Sequence, residues 1–225
     1  MKVFVFGKNN NEIEPLVKDF GFELVETDPD FVISYGGDGT LMKSEHKFPG
    51  IPKIILCNSR ICKKCPPFSN EEILKKIKDG QYSIEELWKM EAGAKDQKLI
   101  GMNDIIVHNK DIRHAIRYYL WINNKEIGKE IIGDGVVMAT PFGSTAYYRS
   151  ITDSFFEVGI GIAFNNSTEQ SDHMVVKEDS RIKIKILRGP ALVYADNQEE
   201  FIELHENDEV VIKKSNKVAK IVMIN

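Results

Sequence analysis

The chain has 225 residues, 42% of them apolar and 28% charged, with a net charge of −4. That is enough to bury a sizeable core as one large domain or two small ones. The charge balance disfavours a nucleic-acid or membrane-surface partner, either of which calls for a basic excess, so a polyanionic ligand would have to be drawn by local groups and backbone amides.

Met1 to Gly7 carries one Lys and an apolar run too short for a signal-peptide core. No apolar stretch approaches a membrane span, and a cytosolic protein is expected. Residues 2–6 (KVFVF) read as a strand. Asn11 is placed to cap a helix carrying Ile13, Leu16, Val17 and Phe20, which Gly21 ends. Residues 31–35 (FVISY) form a second strand of buried type, running into Gly36-Gly37-Asp38-Gly39-Thr40 and a short helix. Residues 54–57 (IILC) give a third strand. Residues 70–79 read as an amphipathic helix with Asn70 as cap and Gly80 as stop. This alternation predicts a small open α/β layer over residues 1–83.

Beyond residue 83 the pattern changes. Ile112, His114, Ile116, Tyr118, Leu120 and Ile122 share one parity, and Asn123-Asn124 makes a turn. Residues 182–186 alternate again, and 191–195, 209–213 and 218–224 are further strand candidates. Period-two segments separated by turns predict an antiparallel all-β domain over residues 84–225.

Two loops carry chemistry. In Gly36-Gly37-Asp38-Gly39-Thr40 the glycines let backbone approach a ligand closely, and their amides near a helix start suit phosphate oxygens. The loop lacks the Lys of a Walker A sequence and presents a carboxylate, Asp38, which would place a base beside a polyphosphate; the plain alternative is a tight turn with Asp38 capping the helix. The second is Gly133-Asp134-Gly135, an apolar strand, then Thr140-Pro141-Phe142-Gly143-Ser144-Thr145-Ala146-Tyr147. Its amides, hydroxyls and aromatic face suit a purine and a ribose.

Cys57, Cys62 and Cys65 are too few for a disulfide framework. Cys62 and Cys65 have metal-ligand spacing, but no second pair follows to complete a tetrahedral site. The segment is expected to be a loop with free thiols and no metal.

Taken together, GGDGT at 36–40, Asn103-Asp104 before a strand, Asp134-Gly135 and TPFGSTAY at 140–147 resemble the NAD kinase family, in the family's order. GGDG is shared with lipid kinases and phosphofructokinases; the TPxGSTAY loop is not. The resemblance implies transfer of a phosphoryl group from ATP, or polyphosphate, to the 2′-hydroxyl of the adenosine ribose of NAD. It implies Mg²⁺ or another divalent cation, a homodimer or homotetramer, and a ligand cleft between the two domains. Asp38 would be the catalytic base, with Gly36, Gly37, Gly39 and Thr40 at the phosphates. NAD would be contacted by Asp38, Gly39, Lys43, Asn103, Asp104, His114, Asp134, Thr145, Ala146 and Tyr147. Tyr148, Arg149, Ser150 and Gln198 match the family more weakly. The chain departs from the family where a Gly-rich GxLGFL stretch is replaced by LCNSRICKKC, where ITDSFF stands for Gly-Gly-Pro, and where His173-Met174 stands for Arg-Pro. The first departure motivates a rival reading, a relative that binds NAD(P) without transferring phosphate.

Overall fold

Val3 and Val5 point inward from β1 (Lys2–Gly7), the first strand of the computed structural model, which describes residues 1–168 and 172–225. The chain then runs through α1 (Asn10–Asp19), β2 (Glu23–Leu24), β3 (Phe31–Gly36), α2 (Asp38–Lys47), β4 (Lys53–Cys57) and α3 (Asn70–Lys78). β2, β1, β3 and β4 pair in parallel in that order. Every residue of β3 is buried, as befits a central parallel strand covered on both faces. The helices bury Ile13 and Val17 of α1 and Ile73, Leu74 and Ile77 of α3.

Two helix starts differ from expectation, α1 by two residues, with Asn9 at the cap position, and α3 by one. α1 opens at Asn10, whose Nδ2 donates to the Val5 carbonyl at 3.0 Å, and Asn11 lies inside the helix. Ser69 caps α3: it accepts from the Glu72 amide while the Glu72 carboxylate accepts from its own amide, a capping box. Asn70 is thereby left to clamp the end of β4 through the Cys57 amide and carbonyl, at 2.9 and 3.0 Å.

Among the described residues the second half is strands with one short helix. β5 (Tyr82–Ala94), β6 (Gln97–Gly101), β7 (Asp104–Asn109), β8 (Ile116–Ile122), β9 (Lys125–Gly133) and β10 (Gly135–Ala139) lead to a 3₁₀ turn at Gly143–Thr145 and α4 (Tyr147–Thr152). β11 (Ile160–Asn165), β12 (His173–Val176), β13 (Ile182–Arg188), β14 (Ala191–Ala195), β15 (Phe201–Leu204) and β16 (Glu209–Ile224) follow. One antiparallel sheet has the order β12-β11-β10-β7-β14-β15. Another array pairs β9, β8, β13 and the start of β16, all antiparallel. Their apolar residues, among them Ile105, Val107, Val136, Ile162, Ile182 and Ile184, share one core. The α/β first part and antiparallel second part agree with the fold class read from the patterning.

The chain divides into two units, Met1–Leu87 with Val218–Asn225, and Trp88–Lys217. The first therefore extends past residue 83 and takes back the C-terminal end of β16, where Ile221 pairs in parallel with Lys53 and Val222 enters the α/β core.

The alternation at 112–122 also needs correction. Arg113 folds back onto Asp111 through both its side chain and its amide, so 111–115 is a turn and the strand begins at Ile116. Ile112 is 85% exposed for that reason. No helix among the described residues is long and apolar enough to cross a membrane.

Candidate functional site

In the first unit, β3 ends at Gly36, Gly37 takes the N-cap position and α2 begins at Asp38. The turn is tight: a β-carbon on Gly36 would lie 2.2 Å from the Thr40 hydroxyl oxygen. Gly37 faces the 58–65 loop, where a β-carbon would sit 3.0 Å from the Ser59 side chain. Asp38 does not cap its own helix. Its Oδ2 accepts the Lys63 amide at 3.1 Å and its Oδ1 the Lys64 amide at 3.0 Å. The Cys62 sulfur lies 3.2 Å from Oδ1. Burial pulls the Lys64 ammonium below its ordinary range, and the Asp38 charge opposes that pull. Gly39 and Thr40 are half-buried in the turn, and Lys43 is exposed further along α2.

Cys62 and Cys65 form a disulfide, which corrects the expectation of free thiols. Their α-carbons are 5.5 Å apart, within the reach of a bridge, because the two intervening residues turn back onto Asp38. Cys57, at the end of β4, keeps a free thiol, and the three sulfurs all lie within 4.8 Å of one another. They are the one group of three metal-capable side chains found among the described residues.

In the second unit the 140–147 loop is seated on the backbone of residues 102–104. Thr140 Oγ1 donates to the Met102 carbonyl at 2.6 Å, and its amide donates to the Asn103 carbonyl at 2.8 Å. Only a glycine fits at 143, where a β-carbon would meet the Asn103 oxygen at 2.1 Å. From the other side Asp196, in the turn after β14, accepts the amides of Met102, Asn103 and Asp104 at 2.8, 2.7 and 3.2 Å. Asn103 and Asp104 are thus presented from a stretch fixed on two sides, both 5% exposed. Asn103 Oδ1 is buried with no hydrogen-bond partner among the described residues. Burial pushes the Asp104 carboxyl up to about 7, and the Asp196 charge adds to the push. Burial raises Asp196 too, against the three amides and Lys89, which lower it.

Asp134 follows β9 and accepts Asn166 Nδ2 at 2.6 Å and Asn109 Nδ2 at 3.3 Å. Asn165 Nδ2 reaches both the Tyr147 hydroxyl and His108 Nε2 at 3.2 Å. A donor at Nε2 leaves the His108 proton on Nδ1, which faces the Asn109 carbonyl at 3.2 Å. Tyr147 is raised by burial, then by Asp104 and Asp134. The second unit therefore brings Asn103, Asp104, Asp134 and Tyr147 into one polar neighbourhood with the half-buried Thr145 and Ala146.

Tyr148, Arg149, Ser150, His114 and Gln198 have other surroundings. Tyr148 is 1% exposed and packs with Val137, Ala139 and Ala163, so it supports the loop from within the core. Arg149 and Ser150 are exposed on α4, and the Ser150 hydroxyl donates to the Tyr147 carbonyl. His114 is exposed in the 111–115 turn, 3.3 Å from Asp111, so it is not the strand histidine that alternation predicts. Gln198 spends its Nε2 on the Ile100 carbonyl at 2.6 Å. Asn109, Asn165 and Asn166 were not singled out in the sequence; an Asn-Asn pair ending an apolar strand was the available signal for two of them.

Residues 102–224 match the family model described as the ATP-NAD kinase C-terminal domain. The chain is 25% identical over 221 residues to an NAD kinase of Methanothermobacter thermautotrophicus, covering 94% of this chain and 77% of that protein. It is 32% identical over 178 residues to an NAD kinase of Sulfurisphaera tokodaii, covering 74% and 70%. Its fold superimposes on the crystal structure of an NAD kinase from Archaeoglobus fulgidus in complex with ATP, with a TM-score of 0.81 at 22% identity, over 100% of this chain and 94% of that one.

Proposed function

The chain belongs to the NAD kinase family, and from that premise we propose that it transfers the γ-phosphoryl group of ATP to the 2′-hydroxyl of the adenosine ribose of NAD, forming NADP. One observation carries the acceptor side: the 140–147 loop is locked onto residues 102–104 while Asn103 Oδ1 stays buried and unpartnered. An amine or hydroxyl donor of a nucleoside would satisfy that oxygen. Asp104 and Asp134, with Thr145, Ala146 and Tyr147, supply further polar contacts and one aromatic face.

On the donor side the amides of Gly36, Gly37, Gly39 and Thr40 receive the ATP phosphates, or those of polyphosphate. Phosphoryl transfer asks the protein for positioning and charge neutralisation more than for covalent chemistry. Asp38 accepts a hydrogen bond from the 2′-hydroxyl and then its proton, in competition with the two amides now at the carboxylate. A divalent cation fits this donor set, since Mg²⁺ is usually held by one or two carboxylates plus substrate phosphates; bound there, it would neutralise phosphate charge. We assign the active form as a cytosolic homodimer or homotetramer.

The test is direct. Purified protein is incubated with ATP, Mg²⁺ and NAD, and NADP is measured; parallel reactions replace ATP by polyphosphate, or NAD by NADH. NAD binding without NADP under any donor would establish the binding-only relative instead.

A further inference from the structure

We propose that Cys62 and Cys65 are a reversible dithiol–disulfide site that sets the availability of the Asp38 carboxylate, the disulfide being the restrained, slow state. Lys63 and Lys64, the two residues enclosed by the bridge, are the ones whose amides hold the two oxygens of Asp38. Closing a ring of four residues fixes those amides with respect to each other. The same loop rests on the donor turn, where Gly37 leaves just enough room for Ser59. A change in the loop is therefore transmitted to Asp38 through those two hydrogen bonds.

Two N–H donors engage the two carboxylate oxygens, one each, and so compete with a substrate hydroxyl for them. Opening the bridge lets the loop leave both oxygens. The site is accessible: Cys57, Cys62 and Cys65 are half-exposed, and Lys63 is exposed. Lysines flanking thiols stabilise the thiolate that exchange requires. Cys57, with its sulfur within 4.8 Å of the other two, is a third thiol in reach.

The reductant is a dithiol. Its thiolate attacks one bridge sulfur, forming a mixed disulfide and releasing the other cysteine as a thiolate; its second thiol then resolves the mixed disulfide. Two electrons and two protons end on Cys62 and Cys65, and the dithiol leaves as its own disulfide. Reoxidation is the reverse, with a disulfide as oxidant.

This inference rests on the proposed function for its rate readout, so a second readout is independent of activity. The full chain is poised in mixtures of reduced and oxidised dithiothreitol. Thiols are counted by alkylation and mass, NADP formation is measured at saturating NAD and ATP, and hydrogen exchange is followed at the Lys63 and Lys64 amides. As Cys62 and Cys65 become thiols, kcat is expected to rise about tenfold, less than the ~10²–10⁴ at stake in a general base, with KM for NAD unchanged and faster exchange at both amides. The double variant Cys62→Ser, Cys65→Ser should stay in the fast state under all conditions, while Cys57→Ser keeps the response. Equal rates and equal exchange in the two thiol states would overturn the inference, as would a redox response surviving in the double variant or stoichiometric zinc on the three thiols of the reduced protein. If the amides respond but no NADP forms in either state, the dithiol site stands and the proposed function fails.

Discussion

Gly143 and Asn103 touch through backbone: a β-carbon on Gly143 would lie 2.1 Å from the Asn103 carbonyl oxygen. Neither side can yield cheaply, because the Asn103 stretch is held by Thr140 on one side and Asp196 on the other. Gly143→Ala should push the 140–147 loop off its seat and raise KM for NAD tenfold or more, with a smaller effect on kcat. Loss of stability should fall in the ~1–3 kcal/mol range typical of such clashes. Gly93→Ala is the control, since a β-carbon there meets nothing within 4 Å. Unchanged NAD kinetics in Gly143→Ala would show that the loop does not shape the acceptor side.

Asp38→Asn keeps the size of the side chain and an oxygen for one amide, and removes the base. kcat should fall ~10²–10⁴-fold, while calorimetric titration should find NAD affinity little changed. A variant retaining more than about a tenth of the turnover would exclude Asp38 as the proton acceptor.

The parts of the fold and site legible in the sequence are those encoded locally. A buried strand running into three glycines and a carboxylate announces the tight strand-to-helix turn at 36–40, and the apolar run before Thr140 announces β10 and the loop after it. Period-two alternation located β13 and most of β8 because their burial alternates residue by residue. What local patterning does not carry is contact between distant strands. Asp196 supports Met102 and Asn103 from 94 and 93 residues away, and Asn165 and Asn166 reach Tyr147 and Asp134 only because β11 pairs with β10. The bridge between Cys62 and Cys65 depends on the turn of the intervening loop onto Asp38, which cysteine counting does not reveal. His114 was misplaced because the Arg113–Asp111 clamp overrides an alternation that continues smoothly through it.

Asp104 should make stability depend on pH in a defined direction. Its carboxyl is pushed up to about 7 in the folded chain by burial and then by Asp196, against about 3.9 unfolded. The folded state thus holds the proton more tightly. The contribution to stability is full below about pH 4 and is lost as pH rises through about 7. Asp104→Asn removes it. In melting experiments from about pH 5 to 8, wild type should lose stability relative to the variant as pH rises, by at most ~1.4 kcal/mol per pH unit, and the difference should level off at the alkaline end. A difference that is flat across the range, or that grows in favour of wild type, would show that Asp104 is ionised throughout.

Acceptor choice is the most exposed prediction: the enzyme should phosphorylate NAD and ignore diacylglycerol, sphingosine and fructose 6-phosphate. On the proposed function a phosphate held at Gly36–Thr40 could be aimed at any alcohol, so discrimination is expected from the second unit. There the groups brought together are Asn103, with a buried and unpartnered oxygen, then Asp104, Asp134 and Tyr147. A lipid chain would leave those groups desolvated and unpaired, and a lone sugar phosphate would offer nothing to the aromatic face. Sites built to hydrogen-bond a substrate reject partners lacking those groups by ~10⁴ or more. With all four acceptors competing for one pool of labelled ATP, label should enter NADP alone; Asn103→Ala should weaken NAD binding by ~1–3 kcal/mol without admitting the others. Comparable labelling of a lipid or a sugar would mean that the polar neighbourhood around Asn103 is not where the acceptor binds.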